Sequence, residues 1–314
     1  SLKVRMLRVN KTVGIIGLGL LGGSLAMALK AYTDYECVGY ARRQEICDQA
    51  LADGCVSQAW TNVDELITHS DIVVFALPPE TNAHLFEEKA HLFKTGQIVT
   101  DVSSAKDEFA AAVYEHIPDE VSFVSIHPMA GSEKGGYEVA SKDLFQKMGW
   151  IVLDDPEQEA YDPAVADQLA AMGKSLGSRV ERIPLKDHDH CIAAVSHMPH
   201  AMASIIATVA GGGTQGEQRM RMSAGGFRDS TRVAGGHPGM WREILMGNRD
   251  NVMFWLDEVF KQVGLVKDIF ERHDDQALEE YLTKAKGIRD KWPIIMGLEE
   301  DKKTPKNKKE IIKK

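Results

Sequence analysis

The chain has 314 residues, 44% of them hydrophobic and 26% charged, which is room for two cores and a composition unlike that of disordered or fibrous proteins. Its formal net charge of -9 argues against a nucleic-acid partner, because neutralising phosphates needs a basic surface. The longest apolar runs read as too short and interrupted to cross a bilayer, and Cys37, Cys47, Cys55 and Cys191 have neither metal-ligand spacing nor disulfide density, so a reducing, cytoplasmic setting is expected.

Residues 1–11 carry basic side chains but run straight into a strand, with no secretory pattern. Short β-rich runs at 13–19, 37–41, 72–77, 98–102, 123–126 and 150–153 then alternate with helical patterns such as 22–30 and 105–116. Nearly continuous apolar strands suit a sheet covered on both faces, and the alternation predicts an α/β fold with a doubly wound, mostly parallel, Rossmann-like sheet. Ser104, with Asp107 three residues on, reads as a capping-box-like helix start, with Phe109, Val113 and Ile117 along one face.

Gly17-Leu18-Gly19-Leu20-Leu21-Gly22 directly follows the first strand and opens a helix. The first glycine permits a tight turn, the second lets backbone approach a pyrophosphate, and the third lets helix and strand pack closely. The helix start then offers unpaired amide donors to phosphates. Gly17, Leu18, Gly19, Leu20 and Gly22 are therefore the expected cradle of a nicotinamide dinucleotide, with Leu77 and Ser103 beside it at the ends of later strands. An NAD-binding unit usually places an acid at the end of the second strand, ~20 residues on, to hold the ribose 2′-hydroxyl. Here Gly39-Tyr40-Ala41-Arg42-Arg43 offers no carboxylate and two guanidinium groups. A guanidinium forks onto a 2′-phosphate and gains nothing comparable from a hydroxyl, so NADP is expected ahead of NAD, with Arg42 and Arg43 reading it.

After Pro184 the pattern becomes helical, with no convincing strand from His188 onward. Apolar residues from Trp241 to Val263 recur at helical spacing and predict one long, largely buried helix, whereas the glycine- and arginine-rich stretch 211–239 predicts a functional loop. The expected division is an NAD(P)-binding domain over 1–184, an all-α substrate and dimerisation domain over 185–300, and a flexible lysine-rich tail over 301–314. Apolar helices in so small a domain need further cover, so a homodimer is expected. His188, His190, Cys191, His197 and His200 invite a metal reading. His190 and His197 fall two helical turns apart, however, and Pro199 disturbs the helix before His200, so no metal site is expected.

Asp101-Val102-Ser103-Ser104-Ala105-Lys106 and the run His127-Pro128-Met129-Ala130-Gly131-Ser132-Glu133-Lys134 stand at strand ends, where open α/β sheets bind ligands. The helical half adds Ser196-His197-Met198-Pro199-His200, then Gly225-Gly226-Phe227-Arg228-Asp229-Ser230-Thr231-Arg232, then Met240-Trp241-Arg242. Together, behind the glycine turn, these clusters resemble the prephenate and arogenate dehydrogenase family of tyrosine biosynthesis, from about Val13 to about Asn251.

The resemblance implies an enzyme that oxidises a cyclohexadienol at its ring carbinol, passes hydride to the nicotinamide and releases carbon dioxide. The reaction would be prephenate to 4-hydroxyphenylpyruvate or, as the alternative, arogenate to tyrosine. It implies His127 as the catalytic base, a role that suits an imidazole near neutral pH, with Ser104 bonding the same hydroxyl. It places Arg232 on a substrate carboxylate, and His197, Trp241, Ser132 and Glu133 around the ring and side chain. Another β-hydroxyacid or imine reductase of the same plan would rely on a lysine or aspartate on a long helix, and a cofactor-sensing protein would need neither His127 nor Arg232. The chain ends soon after the helical half, so tyrosine feedback through an appended domain is not expected.

Overall fold

The computed structural model describes residues 11–131 and 135–298. The expected tail over 301–314 lies outside the described residues, as do Ser132 and Glu133. In chain order the first layer system comprises β1 (Thr12–Ile16), α1 (Leu20–Tyr32), β2 (Glu36–Tyr40), α2 (Gln44–Ala52), β3 (Gln58–Trp60), α3 (Val63–Thr68), β4 (Ile72–Phe75), α4 (Pro79–Lys89), β5 (Ile98–Asp101), α5 (Asp107–His116) and β6 (Ser122–Phe123). These strands form one sheet in the order β3-β2-β1-β4-β5-β6 with every pair parallel, which is the doubly wound order with its switch point beside β1.

Both faces of that sheet are buried, as its β-branched strands require. Val13 and Ile15 of β1, with Ile72 and Val74 of β4, pack on Leu25 and Leu29 of α1 and reach Trp150 and Leu169 further along the chain. The alternate residues Ile16, Val73 and Phe75 pack on Leu66, Phe86 and Phe109 of α3, α4 and α5.

The sequence reading merged 123–126 into one strand. Instead the chain leaves the first sheet after β6 and enters a second one, formed by β7 (Ile126–Pro128), β8 (Gly149–Asp154) and, beyond α6 (Pro163–Ser175), β9 (Arg179–Pro184). β7 pairs antiparallel with β8, and β8 pairs parallel with β9. β3 and β9 escaped prediction because Gln58-Ala59-Trp60 is short and Arg179–Pro184 is largely polar. The switch of sheets matters because it carries His127 out of the parallel sheet onto a strand of its own.

Helices follow Pro184: α7 (Leu185–Ile192), α8 (Met198–Gly211), α9 (Gly216–Arg221), α10 (Gly225–Thr231), α11 (Pro238–Gly247), α12 (Arg249–Glu271) and α13 (Asp275–Ile295). A five-residue π-turn, Ala193–His197, joins α7 to α8. Pro199 has no N–H to give the carbonyl four residues back, and the wider turn accommodates that loss while re-aiming His197. The run Leu185–Gly211 is 27 residues long and, by length and composition, apolar enough to cross a membrane, which corrects the expectation that no segment qualifies. Its His188, Asp189, His197 and His200 are nonetheless buried within the protein.

Two further expectations are corrected. The stretch 211–239 is mostly helical, with α9, α10 and a 3-10 turn (Arg232–Gly235) in succession. The predicted single helix from Trp241 breaks at Asn248, whose φ of -122° and ψ of 31° end α11 before α12 begins. Nor is that helix largely buried within one chain, since Phe254, Phe260 and Val263 are exposed.

Compact units divide the chain into Ser1–Trp255 and Leu256–Lys314. This boundary falls inside α12, since α7 packs on β8 and β9 and α11 packs on α4.

Candidate active site

The glycine turn has the geometry its sequence implies. Gly17 sits at φ +106°, and a Cβ there would lie 2.7 Å from Leu77 Cδ2 and 3.0 Å from the Ala76 carbonyl. A Cβ on Gly22 would come within 2.0 Å of the Gly17 carbonyl, so the helix can approach the turn only without a side chain. A Cβ on Gly19 would meet nothing within 4 Å, which leaves the backbone open on the side where a pyrophosphate would approach. Among the described residues no side chain caps α1, so its first amides remain available to an anion. These residues fit a dinucleotide.

Asn82 ties the neighbouring strand ends together. Its side chain accepts from the Leu77 amide (3.2 Å), donates to the Leu77 carbonyl (2.8 Å) and donates to Ser103 Oγ (3.0 Å). Leu77 and Ser103 thus line the carboxyl edge of β4 and β5, beside the glycine turn. Arg42 and Arg43 are exposed at the start of α2, and neither guanidinium is hydrogen-bonded to another described residue.

At the same edge of the sheet, a buried ion pair links β5 to β7. Lys106 Nζ lies 2.7 Å from Asp101 Oδ2 and donates to the Ile126 carbonyl at 2.6 Å, with both charged side chains fully buried. Asp101 also accepts from Ser125 Oγ and from the Ser103 amide. Next along β7, His127 is only 7% exposed. Its Nδ1 lies 2.9 Å from His188 Nε2, and His188 Nδ1 lies 2.7 Å from Asp189 Oδ1.

The Asp189 carboxylate then accepts from the backbone amides of Lys106 and Asp107, capping α5 from 83 residues away. This corrects the capping-box reading: α5 starts at Asp107, and Ser104 makes no cap. Ser104 is instead half-buried on the loop between β5 and α5. Burial opposes the charge on Asp189, yet His188 and the two amides hold its carboxyl below the usual range. Burial, then the nearby Lys106 ammonium, pushes the His127 imidazole well below its ordinary value, and burial likewise lowers His188.

His197, delivered by the π-turn, is 1% exposed. Asn248 Nδ2 lies 3.1 Å from His197 Nδ1 and donates to the Asp189 carbonyl at 2.7 Å, so the break between α11 and α12 supplies a link between the two histidine clusters. His197 Nε2 has no partner among the described residues, and burial lowers this imidazole to about 4. Trp241 stacks flat on His200 (3.6 Å between centroids, 12° between planes) and meets His197 edge-on at 6.5 Å.

Arg232 begins the 3-10 turn that packs against α8; it is exposed, and its charge acts on nearby Asp229. No hydrogen bond joins it to His127. The structure therefore brings His127 and His197 into one network and sets Trp241 against that network's edge. It leaves Arg232 exposed on a 3-10 turn packed against α8.

Sequence reasoning missed His188, Asp189, Asn248 and the structural part played by Lys106. The adjacent His188-Asp189 pair was the available signal, but a histidine-rich helix was weighed there only as a metal site. Among the described residues, no three potential ligands are grouped to hold a metal.

With this geometry in view, comparison with known proteins is specific. The family model described as prephenate dehydrogenase, nucleotide-binding domain, matches residues 25–181, and that described as prephenate dehydrogenase, dimerization domain, matches 184–284. The prephenate dehydrogenase of Bacillus subtilis is 30% identical over 296 residues, covering 92% of this chain and 78% of that one. The cyclohexadienyl dehydrogenase of Zymomonas mobilis is 29% identical over 285 residues, covering 90% and 96%. Among solved structures, prephenate dehydrogenase from A. aeolicus in complex with hydroxyphenyl propionate and NAD+ superposes with a TM-score of 0.77 at 26% identity, covering 90% of this chain and 98% of that one. Synechocystis arogenate dehydrogenase gives 0.78 at 25% identity, covering 90% and 99%.

Proposed function

This chain belongs to the prephenate dehydrogenase family, and we propose that it oxidises and decarboxylates prephenate to 4-hydroxyphenylpyruvate, with NADP+ preferred over NAD+. The observation that carries this reading is the placement of His127. A buried, neutral imidazole sits on β7 next to Ile126, whose carbonyl Lys106 ties to Asp101 at the carboxyl end of β5, the edge of the parallel sheet where ligands of doubly wound folds bind.

When bound, the nicotinamide accepts the hydride released from the ring carbinol. His127 accepts the hydrogen bond of the carbinol hydroxyl, whose proton becomes acidic as the hydride leaves. Ser104, half-buried on the β5–α5 loop, orients that hydroxyl. The ring carboxyl departs as carbon dioxide, its bonding pair makes the ring aromatic, and the proton held by His127 returns to the phenol oxygen. Arg232, exposed on the 3-10 turn packed against α8, takes the side-chain carboxylate, while His197 and Trp241 flank the ring. The family resemblance adds Ser132 and Glu133 to the groups around the substrate side chain. On the cofactor side, Gly17, Gly19 and Gly22 cradle the pyrophosphate, and Arg42 and Arg43, exposed at the start of α2 and without hydrogen-bond partners among the described residues, meet the 2′-phosphate.

One kinetic matrix tests the reading: wild type and Arg232→Ala against prephenate and arogenate, with NADP+ and NAD+, followed by absorbance of the reduced cofactor. Wild type is expected to turn over prephenate with kcat/KM at least ~10-fold higher for NADP+, a ratio of about 1.4 kcal/mol. Arg232→Ala should raise the KM for prephenate ~10- to 100-fold, the loss of a charge-assisted hydrogen bond. Turnover of arogenate alone would replace the substrate, and a preference for NAD+ would remove the role given to Arg42 and Arg43.

A homodimer in a reducing cytoplasm is the setting we infer. It is supported by the dimerization-domain match over 184–284, by Phe260, Phe270, Leu282 and Ile288 left more than half exposed on α12 and α13, and by the buried thiols of Cys37, Cys47 and Cys55. Sedimentation of the intact chain should return twice its mass, and a one-chain mass would refute the dimer.

A further inference from the structure

We propose that Asp189 and His188 are positioning residues that decide which nitrogen of His127 carries its proton, and so whether His127 can act as a base at all. The proposal rests on the reading of His127 as that base. Its support is the order of donors and acceptors along one unbroken line of buried groups.

The line starts at Asp189, whose oxygens accept from the amides of Lys106 (2.9 and 3.0 Å) and Asp107 (3.0 Å) at the start of α5. An ionised carboxylate can only accept, so the contact at 2.7 Å with His188 requires His188 to present Nδ1–H. His188 is 1% exposed and neutral, so its Nε2 is then a bare lone pair. That lone pair faces His127 Nδ1 at 2.9 Å, and the bond between the rings forms only if His127 Nδ1 carries the proton. Nε2 of His127 is left as an acceptor, the state needed to receive a carbinol hydroxyl.

The other groups facing this line leave its order intact. Lys106 Nζ is committed to Asp101 and the Ile126 carbonyl. Asn248 Nδ2 holds the Asp189 carbonyl and His197 Nδ1, which fixes the turn of α7 that bears both positioning residues. As His127 takes the substrate proton, its Nδ1–H donates more strongly to His188, and the positive charge is shared toward Asp189.

A merely structural Asp189 would serve only to cap α5, and the two roles separate in Asp189→Asn. The amide oxygen of Asn can still accept from Lys106 and Asp107. Its NH2 then faces His188 Nδ1 and donates, so His188 carries its proton on Nε2 and His127 is forced into the Nε2–H form.

The expected result is a fall in kcat of ~100-fold or more at neutral pH, in the range of a lost general base, with KM for prephenate and the thermal midpoint nearly unchanged. Asp189→Glu should restore part of the rate. Nitrogen-15 correlation spectra of the imidazoles read the tautomers directly, and wild type should show Nδ1–H for both His127 and His188. An Nε2–H signal for His127 in wild type overturns the proposal, as does an Asp189→Asn enzyme with wild-type kcat. If Asp189→Asn fails to fold, the wild-type spectrum decides. Should His127→Asn itself retain turnover, the base reading fails first, whatever the tautomers are.

Discussion

Replacing His127 by Asn is expected to lower kcat by about 1,000-fold, the middle of the range for a lost general base. Asn is the informative substitute because its amide can still donate to His188 Nε2, so the buried line keeps its hydrogen bond while the basic nitrogen disappears. Cofactor affinity should stay as it is, because none of the contacts around Gly17, Gly22 and Leu77 involves His127. The measurement is steady-state turnover beside cofactor titration, and an active variant rules out the base.

The pH dependence follows from the same burial. His127 is held well below its ordinary value, so wild-type kcat should be flat through neutral pH and fall only in acid. Stability obeys the matching sign. The folded state keeps His127, His188 and His197 neutral, whereas the unfolded chain takes up protons once pH drops below about 6.5. Stability is therefore full above that pH and is lost on acidification toward about 4, the value for His197. With one such imidazole removed, His127→Asn should unfold less steeply across this window, a second readout independent of turnover.

What the sequence disclosed and what it hid divide along one line, local pattern against remote contact. The glycine turn was legible because its motif is six residues long and follows a strand directly, even though Leu77 and Ala76 also crowd Gly17, and the parallel sheet was legible because its strands are apolar on both faces. His127 was legible only through its neighbours in the motif. Its partner His188 lies 61 residues away, and only the adjacent Asp189 hints that it is a helper rather than a ligand or a core residue. The cap of α5 was misread for the same reason: Ser104 and Asp107 have the right spacing, but Asp189 arrives from another element and takes the amides. The break at Asn248 was hidden because apolar periodicity continues across it, although Gly247-Asn248 is a pair that readily ends a helix, and there Asn248 bonds the Asp189 carbonyl and His197. Arg232 marks the opposite case, a residue the motif singles out and the structure leaves on an exposed turn.

Lys106→Met should destabilise the fold by about 3–5 kcal/mol, a large share of the roughly 5–15 kcal/mol available to a domain. Burial lowers the Lys106 pKa, and the Asp101 carboxylate at 2.7 Å works against that loss of charge. Removing the ammonium strands a fully buried carboxylate with, among the described residues, only Ser125 Oγ and the Ser103 amide to satisfy it. It also takes the donor from the Ile126 carbonyl, one residue before His127, so the variant should lose turnover through a displaced imidazole even where it remains folded. Urea unfolding at neutral pH measures the first effect, and adding Asp101→Asn to Lys106→Met should recover most of it, because the penalty lies in the unpaired charge rather than in lost packing. A loss below ~1 kcal/mol for the single variant would mean that water reaches the pair, since exposed ion pairs contribute about that little. The β5–β7 junction would then be too loosely held to fix His127 where the reaction requires it.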